Sequence, residues 1–279
     1  MKLLYPLAKR FIAGHDFESA KPQIEKLLDE EYEVSIDYLG ESSRQISQCM
    51  RATDQYLKII NYFWDRKINI SIKPSQVGAL INPVVSFKNL SKIARVAKKF
   101  GHTIRLDMEG SELTDLTRNQ ALVLNKKYGN VGVAIQANLF RTADDLKVLI
   151  KNNVSIRLVK GAYRESPEIA HQKEVDIECN FFHYAATLRS NKANKPAIAT
   201  HDEDLLEDIE DLLPNAGRFD YEFLYGIRRD LQRGLKSKGY NVRVYVPFGK
   251  DWLPYTLRRL REWKNLKFVL KNVIKEWFR

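Results

Sequence analysis

Cysteine is scarce in this chain. Cys49 and Cys179 are the only two among 279 residues, far apart and in no CxxC spacing, which argues against a disulfide scaffold and a thiolate zinc site. Long apolar runs are missing as well. The longest charge-free stretch, Pro74 to Phe87, is shorter than a bilayer crossing and carries Pro74 and Pro83, so no membrane span is expected. The opening MKLLYPLAKRF has no signal-peptide core, because Pro6, Lys9 and Arg10 interrupt it. A reduced, cytoplasmic protein is the expectation. Internal repeats, low-complexity tracts and Ser/Gly-rich linkers are absent too, which predicts one domain over 1–279 with a helical preamble at 1–32. Acidic residues fall short of basic ones: 46 Lys and Arg against 35 Asp and Glu leave a net charge of +11. Such a surface attracts nucleic acid, anionic lipid or an anionic small molecule, and charge by itself does not choose among them. What the chain does have is a core. Its 44% hydrophobic content is too high for disorder.

Short β-branched runs alternate with longer amphipathic ones. Candidate strands are Val34–Leu39, Ile68–Lys73, Thr103–Met108, Val131–Gln136, Ser155–Val159, Ala197–His201, Tyr221–Leu224 and Val242–Val246. Helical patterns separate them: Arg44–Arg66, Leu90–Phe100, Asp115–Tyr128, Ala143–Asn152, Lys173–Ser190, Asp204–Leu213 and Ile227–Lys238, after a first one near Gln23–Glu31. Strands alternating with helices imply parallel pairing, and eight of them match a closed (β/α)8 barrel of the α/β class. An open doubly wound sheet is the rival, but no GxGxxG follows the first strand.

Alternation within the strands carries the most information. Ile68, Ile70 and Ile72 oppose Asn69, Ser71 and Lys73; Val131, Val133 and Ile135 oppose Gly132, Ala134 and Gln136. Ile104 and Leu106 oppose Arg105 and Asp107, Ile156 and Leu158 oppose Ser155 and Arg157, and the valines at 242, 244 and 246 oppose Arg243 and Tyr245. In a barrel the aliphatic face meets the helices, so the second set points inward. The interior would then hold Lys73, Arg105, Asp107, Gln136, Arg157, His201, Arg243 and Tyr245. Two readings compete: an internal salt-bridge network, or a polar pocket at the C-terminal mouth, where barrels of this kind place their chemistry. The basic set against Asp107 predicts an electropositive pocket that takes an anion.

Asp251 to Trp263 reads as a final helix. Leu253, Leu257 and Leu260 form its apolar stripe, while Tyr255, Arg258, Arg259 and Glu262 share a neighbouring face. Paired arginines usually make a solvated face. Here a short loop after the strand ending near Tyr245 would let them lean over the mouth, where guanidinium forks grip carboxylates.

At these residues the chain resembles the proline dehydrogenase family in its monofunctional prokaryotic form. The matching stretches are SIDYLGE (35–41), SIKPSQ (71–76), IRLDMEG (104–110), AIQANLFR (134–141), IRLVKGAY (156–163), ATHD (199–202), LYGIRRDLQ (224–232) and VRVYVPFGKDWLPYTLRRL (242–260). The resemblance implies a distorted (β/α)8 TIM barrel with N-terminal helices and a C-terminal helix over the mouth. It also implies noncovalent FAD, oxidation of L-proline to Δ1-pyrroline-5-carboxylate by hydride transfer to flavin N5, and delivery of electrons to quinone. By resemblance, Arg258 and Arg259 hold the proline carboxylate with Glu262 beside them, Lys73 and Asp107 line the pocket, and Tyr245, Tyr255 and Leu224 pack around the ring. Arg157 stands beside flavin N5, and Met108, Gln136, Lys160, Gly161, Ala162, Thr200 and His201 contact the cofactor. Asp107 is expected to orient Lys73 and the amine. The chain departs from the family at Glu222, where the usual amide is an acid, at Arg164 and at 263–265; these changes are expected to bear on the adenine end of the cofactor site.

Other readings are weaker. His201 and Asp202 suggest a metal, but no second histidine has ligand spacing, and no metal is expected. Lys160 or Lys73 could form a Schiff base, making a lyase or aldolase on the same barrel the main alternative. A nucleic-acid-binding protein fits poorly, because the arginines fall inside predicted strands. The tail at 264–279 reads as a basic amphipathic helix that either docks on the barrel or lies peripherally on the inner face of the cell membrane near the quinone. A separate pyrroline-5-carboxylate dehydrogenase is the expected consumer of the product.

Overall fold

The computed structural model describes residues 9–190, 195–213 and 216–262; the tail at 264–279 lies outside the described residues. Eight parallel strands close into a barrel in chain order, with β1 completing the ring against β8. They are β1 (Glu33–Tyr38), β2 (Asn69–Ile72), β3 (Thr103–Leu106), β4 (Val131–Gln136), β5 (Ser155–Val159), β6 (Ala197–Ala199), β7 (Asp220–Leu224) and β8 (Asn241–Phe248). The helices are α1 (Phe17–Asp29), α2 (Ile46–Tyr62), α3 (Pro83–Lys99), α4 (Thr114–Tyr128), α5 (Thr142–Lys151), α6 (Glu174–Ser190), α7 (Glu203–Leu212), α8 (Arg229–Ser237) and α9 (Trp252–Glu262). The predicted (β/α)8 architecture is the observed one. No helix among the described residues is long and apolar enough to cross a membrane.

The outward aliphatic face of the strands meets the helices and makes the core. Ile36, Ile70, Ile72, Leu106, Val133 and Leu158 are fully buried, packed against helix stripes such as Leu90, Ile93, Ala94 and Ala97 of α3. Neighbouring registers put Ser35 beside Asn69, Ser71 beside Arg105, and Glu222 beside Arg243. Inward side chains of adjacent strands therefore fall into common layers.

Boundaries shift where end signals outrank apolar spacing. α3 starts at Pro83 rather than Leu90, because Asn82 caps it by accepting the Val84 N–H at 2.8 Å and Pro83 suits a first helical position. α1 begins at Phe17, ahead of the expected Gln23, on a capping box between Asp16 and Ser19. α8 begins at Arg229 instead of Ile227, because the chain first turns through Gly226 (φ +75°) and Arg228 (φ +47°), both left-handed.

Candidate active site

The C-terminal ends of the strands open into a cavity of about 680 Å³. Thirteen residues expected at the site line it: Lys73, Asp107, Met108, Gln136, Arg157, Lys160, Gly161, Ala162, Thr200, His201, Leu224, Tyr245 and Tyr255. Barrel geometry explains the convergence, since each stands on or just after a strand's C-terminal end, or on α9. Arg258, Arg259 and Glu262 follow Tyr255 on α9, and their side chains lie outside the described residues. α9 is fixed at the mouth by a cluster of Trp252 and Tyr255 with Phe11, Ile12, Leu39 and Ile227.

The floor is a closed network around one guanidinium. Arg157, 4% exposed, donates from Nη1 to Asp107 Oδ1 (2.5 Å), from Nε and Nη2 to the two oxygens of Glu222 (2.8 and 2.6 Å), and from Nη2 to Ser71 Oγ (2.8 Å). The Tyr245 hydroxyl donates to the other Asp107 oxygen at 2.7 Å, and its ring centroid lies 5.2 Å from the Arg157 Cζ. Lys73 Nζ donates to both oxygens of Asp37 at 3.1 and 3.0 Å and stands 3.9 Å from Asp107 Oδ2. Burial works against the Lys73 cation, but Asp37 and Asp107 outweigh it and hold the amine well above its usual range. Burial opposes Glu222 in the same way, and Arg157 and Arg105 hold its carboxyl below the usual range.

The expected electropositive pocket is therefore corrected. Asp37 and Glu222, both buried, join Asp107, so Lys73, Arg105 and Arg157 face three carboxylates. Both acids obey the alternation already used on other strands: Ser35 and Asp37 oppose Val34 and Ile36, and Asp220 and Glu222 oppose Tyr221 and Phe223. Glu222 also sits against Arg157 on the floor rather than at a distant end of the site. Arg105 and Arg243 point inward as expected, yet neither is among the described residues lining the cavity; Arg243 pairs at the strands' N-terminal end, and Arg105 bridges from Ser155 there to Glu222 on the floor. The sequence also placed Arg228 on an ordinary helix. It instead stands before α8 in the left-handed region, buried in the cavity wall, donating to Glu203 at 2.8 Å and Asp230 at 3.0 Å. Arg10 lines the cavity too, and no spacing signal points to it.

Around the wall, Gln136 Nε2 donates to the Glu109 carbonyl at 3.2 Å, Thr200 Oγ1 accepts the Asp202 N–H at 3.2 Å, and His201 Nε2 accepts the Leu224 N–H at 3.0 Å. Lys160 Nζ donates to Asp202 (2.6 Å) and Glu178 (2.7 Å). Burial opposes its charge, and these carboxylates overcome that and raise its pKa. A Schiff-base lysine needs a neutral amine near pH 7, so the pairing of both Lys73 and Lys160 argues against the lyase alternative.

The wall suits a large, flat cofactor. Ala134, Ala162 and Ala199 line the cavity with side chains no larger than a methyl group, and its volume falls in the range of small-molecule sites. Gly161 has φ +123°, and a Cβ there would collide with the Asn138 amide, whose buried Oδ1 has no hydrogen-bond partner. Glycine alone fits this left-handed backbone packed against Asn138, which keeps the loop close along the cavity wall. Lys160 at the rim and Arg157 on the floor face the open volume while paired with carboxylates, and in size and polar lining the residues present fit FAD.

Comparison with known proteins agrees with this geometry. The family model described as proline dehydrogenase matches residues 20–271. Proline dehydrogenase 2 of Bacillus subtilis is 33% identical over 278 residues, covering 96% of this chain and 91% of that protein. Proline dehydrogenase of Deinococcus radiodurans is 34% identical over 285 residues, with 98% and 91% covered. Among solved structures, proline utilization A from Bdellovibrio bacteriovorus, inactivated by N-propargylglycine, superposes with a TM-score of 0.85 at 23% identity, over 95% of this chain. This chain spans 33% of that longer protein, a likeness of fold. By sequence, the chain belongs to the proline dehydrogenase family of enzymes.

Proposed function

We propose that the chain oxidises L-proline to Δ1-pyrroline-5-carboxylate, with FAD held noncovalently in the barrel mouth and electrons passed on to a quinone. The observation that carries this reading is the floor: one buried guanidinium, Arg157, fixed on three sides by Asp107, Glu222 and Ser71. Met108, Gln136, Arg157, Lys160, Gly161, Ala162, Thr200 and His201 would hold the cofactor, which supplies a two-electron acceptor when bound. Arg157 needs no rearrangement to stabilise negative charge arising beside it, because its hydrogen-bond partners already fix its orientation. Arg258 and Arg259 grip the substrate carboxylate, with Glu262 beside them, while Lys73, Leu224, Tyr245 and Tyr255 enclose the ring. The clamp's task is orientation, which turns an encounter into an aligned reaction.

In that pose the proline C5–H bond breaks and both its electrons leave with the hydrogen as hydride. The nitrogen lone pair closes the C5=N bond, and the amine proton passes to solvent. Asp107 holds Tyr245 and Arg157 and steadies Lys73, so it orients the amine side of the substrate. The product would be consumed by a separate dehydrogenase.

The absorbance spectrum is the first test: purified protein should show flavin bands that bleach anaerobically with L-proline. Arg258→Met and Arg259→Met should each raise the proline KM about tenfold or more while flavin stays bound, because a charge-assisted hydrogen bond contributes about 1.5–3 kcal/mol. An ordinary KM in both variants would remove the substrate assignment. For the tail, equal liposome co-sedimentation with and without residues 264–279 would end the membrane-contact proposal.

A further inference from the structure

We infer that Glu222 is a positioning residue that sets the electron affinity of the site by cancelling the charge of Arg157. This rests on the flavin reading above and goes beyond it. Glu222 comes from β7, is 2% exposed, lines the cavity and grips Arg157 through both carboxylate oxygens, at 2.8 Å to Nε and 2.6 Å to Nη2. Arg105 approaches the same carboxylate at 3.3 Å. Away from solvent, charges this close act with little screening.

Hydride carries two electrons and one proton, so taking one up turns a neutral isoalloxazine into a singly negative one. A bare guanidinium against the ring would favour that change strongly. With Glu222 across its other edge, the cation–anion pair presents a dipole instead, and the reduced form gains less. Asp107 also faces Arg157 but shares its second oxygen with the Tyr245 hydroxyl. Among the described residues, the side chains hydrogen-bonded to Glu222 are arginines, with no neutral donor among them. Its charge is thus committed to the cationic cluster, and the floor as a whole balances three cations against Asp37, Asp107 and Glu222. A glutamine at 222 would keep the shape and one acceptor oxygen while removing the charge.

The test is a dye-referenced reductive titration of flavin-loaded protein. Glu222→Gln should shift the two-electron equilibrium toward the reduced form about tenfold, a rise of about 30 mV in midpoint potential. Glu222→Asp, which keeps the charge, should stay within about threefold of the parent. Asp220→Asn removes the same charge from the same strand, two residues toward the barrel's other end, and should also stay within threefold. An unshifted potential in flavin-loaded Glu222→Gln overturns the inference, as does an equal shift in Asp220→Asn. Glu222→Ala carries the same expectation and serves if the glutamine variant loads no flavin. A parent protein that takes up no flavin would instead sink the functional reading, and that is visible before any potential is measured.

Discussion

The two ends of the barrel interior bury similar charges to different effect. At the N-terminal end, Arg243 pairs with Asp220 at 2.7 Å and with Glu33, Lys195 pairs with Asp220, and Arg105 donates to Ser155 Oγ at 2.9 Å. Every one of those partners is protein, and the described cavity does not reach them. At the C-terminal end, Arg157 and Lys73 are as well paired, yet they face open volume. Pairing is therefore no sign that a buried charge is merely structural. What separates the two ends is the space beside them, and that space exists where strands give way to loops.

Breaking one cation at each end should give the sharpest contrast. Arg157→Met should slow flavin reduction by proline about 10²–10³-fold in anaerobic stopped flow, the usual loss when a preorganised electrostatic donor is removed. Arg243→Met should leave that rate within about twofold and instead lower stability by roughly 3 kcal/mol in urea unfolding, because Asp220 loses a buried partner. An Arg243 variant with impaired reduction and ordinary stability would erase the distinction.

Gly161→Ala should rank next. A side chain at φ +123° against Asn138 costs about 1–3 kcal/mol, and flavin retention on gel filtration should fall about tenfold; unchanged retention would take Gly161 out of the cofactor wall. Acid titration probes the other end. Burial would raise the Asp220 carboxyl, but Arg243 and Lys195 hold it below its ordinary 3.8. The stability it contributes is complete above that value and is lost as pH falls through the folded-state pKa. Asp220→Asn should therefore flatten the unfolding free energy below about pH 4 relative to the parent, and parallel acid limbs would contradict this. The smallest effect belongs to Arg105→Met. Burial and the nearby Arg157 push its guanidinium down to about 10, and Glu222 keeps its two bonds to Arg157 without it. A change within about 1 kcal/mol is expected, since Glu222 stays paired with Arg157 and no buried carboxylate is left uncompensated while the desolvation cost of Arg105 is relieved; a loss above 3 kcal/mol in urea unfolding would show that Arg105 is indispensable.

Much of this was legible in the sequence because a strand's side chains alternate strictly. The Ile70–Ser71–Ile72–Lys73 pattern states both the core face and the inward face, and eight such runs with helices between them leave few architectures. The same alternation contained Asp37 and Glu222. Apolar content alone does not single out Asp37 on β1, and the family resemblance marks Glu222 only as an acid in place of an amide, without its place against Arg157. Separating Arg105 from Arg157 was beyond pattern: both oppose aliphatic residues on short strands, and only the stagger of the closed barrel says which layer faces the mouth. Arg228 misled because an arginine pair beside a helical pattern looks solvated, whereas the turn through Gly226 sends the first of the pair inward. Arg10 left no trace, since a contact between a chain's beginning and a loop more than 200 positions later has no local signature.

That last contact has a consequence for assembly. A Cβ on Gly226 would strike the Arg10 carbonyl, and Phe11 and Ile12 complete the apolar seat of α9. The helix carrying the arginine pair thus rests on a segment that precedes the first strand. Ribosomal synthesis delivers the foundation first and the superstructure last, so a nascent chain stopped before Trp252 would own a nearly finished barrel with an unroofed entrance.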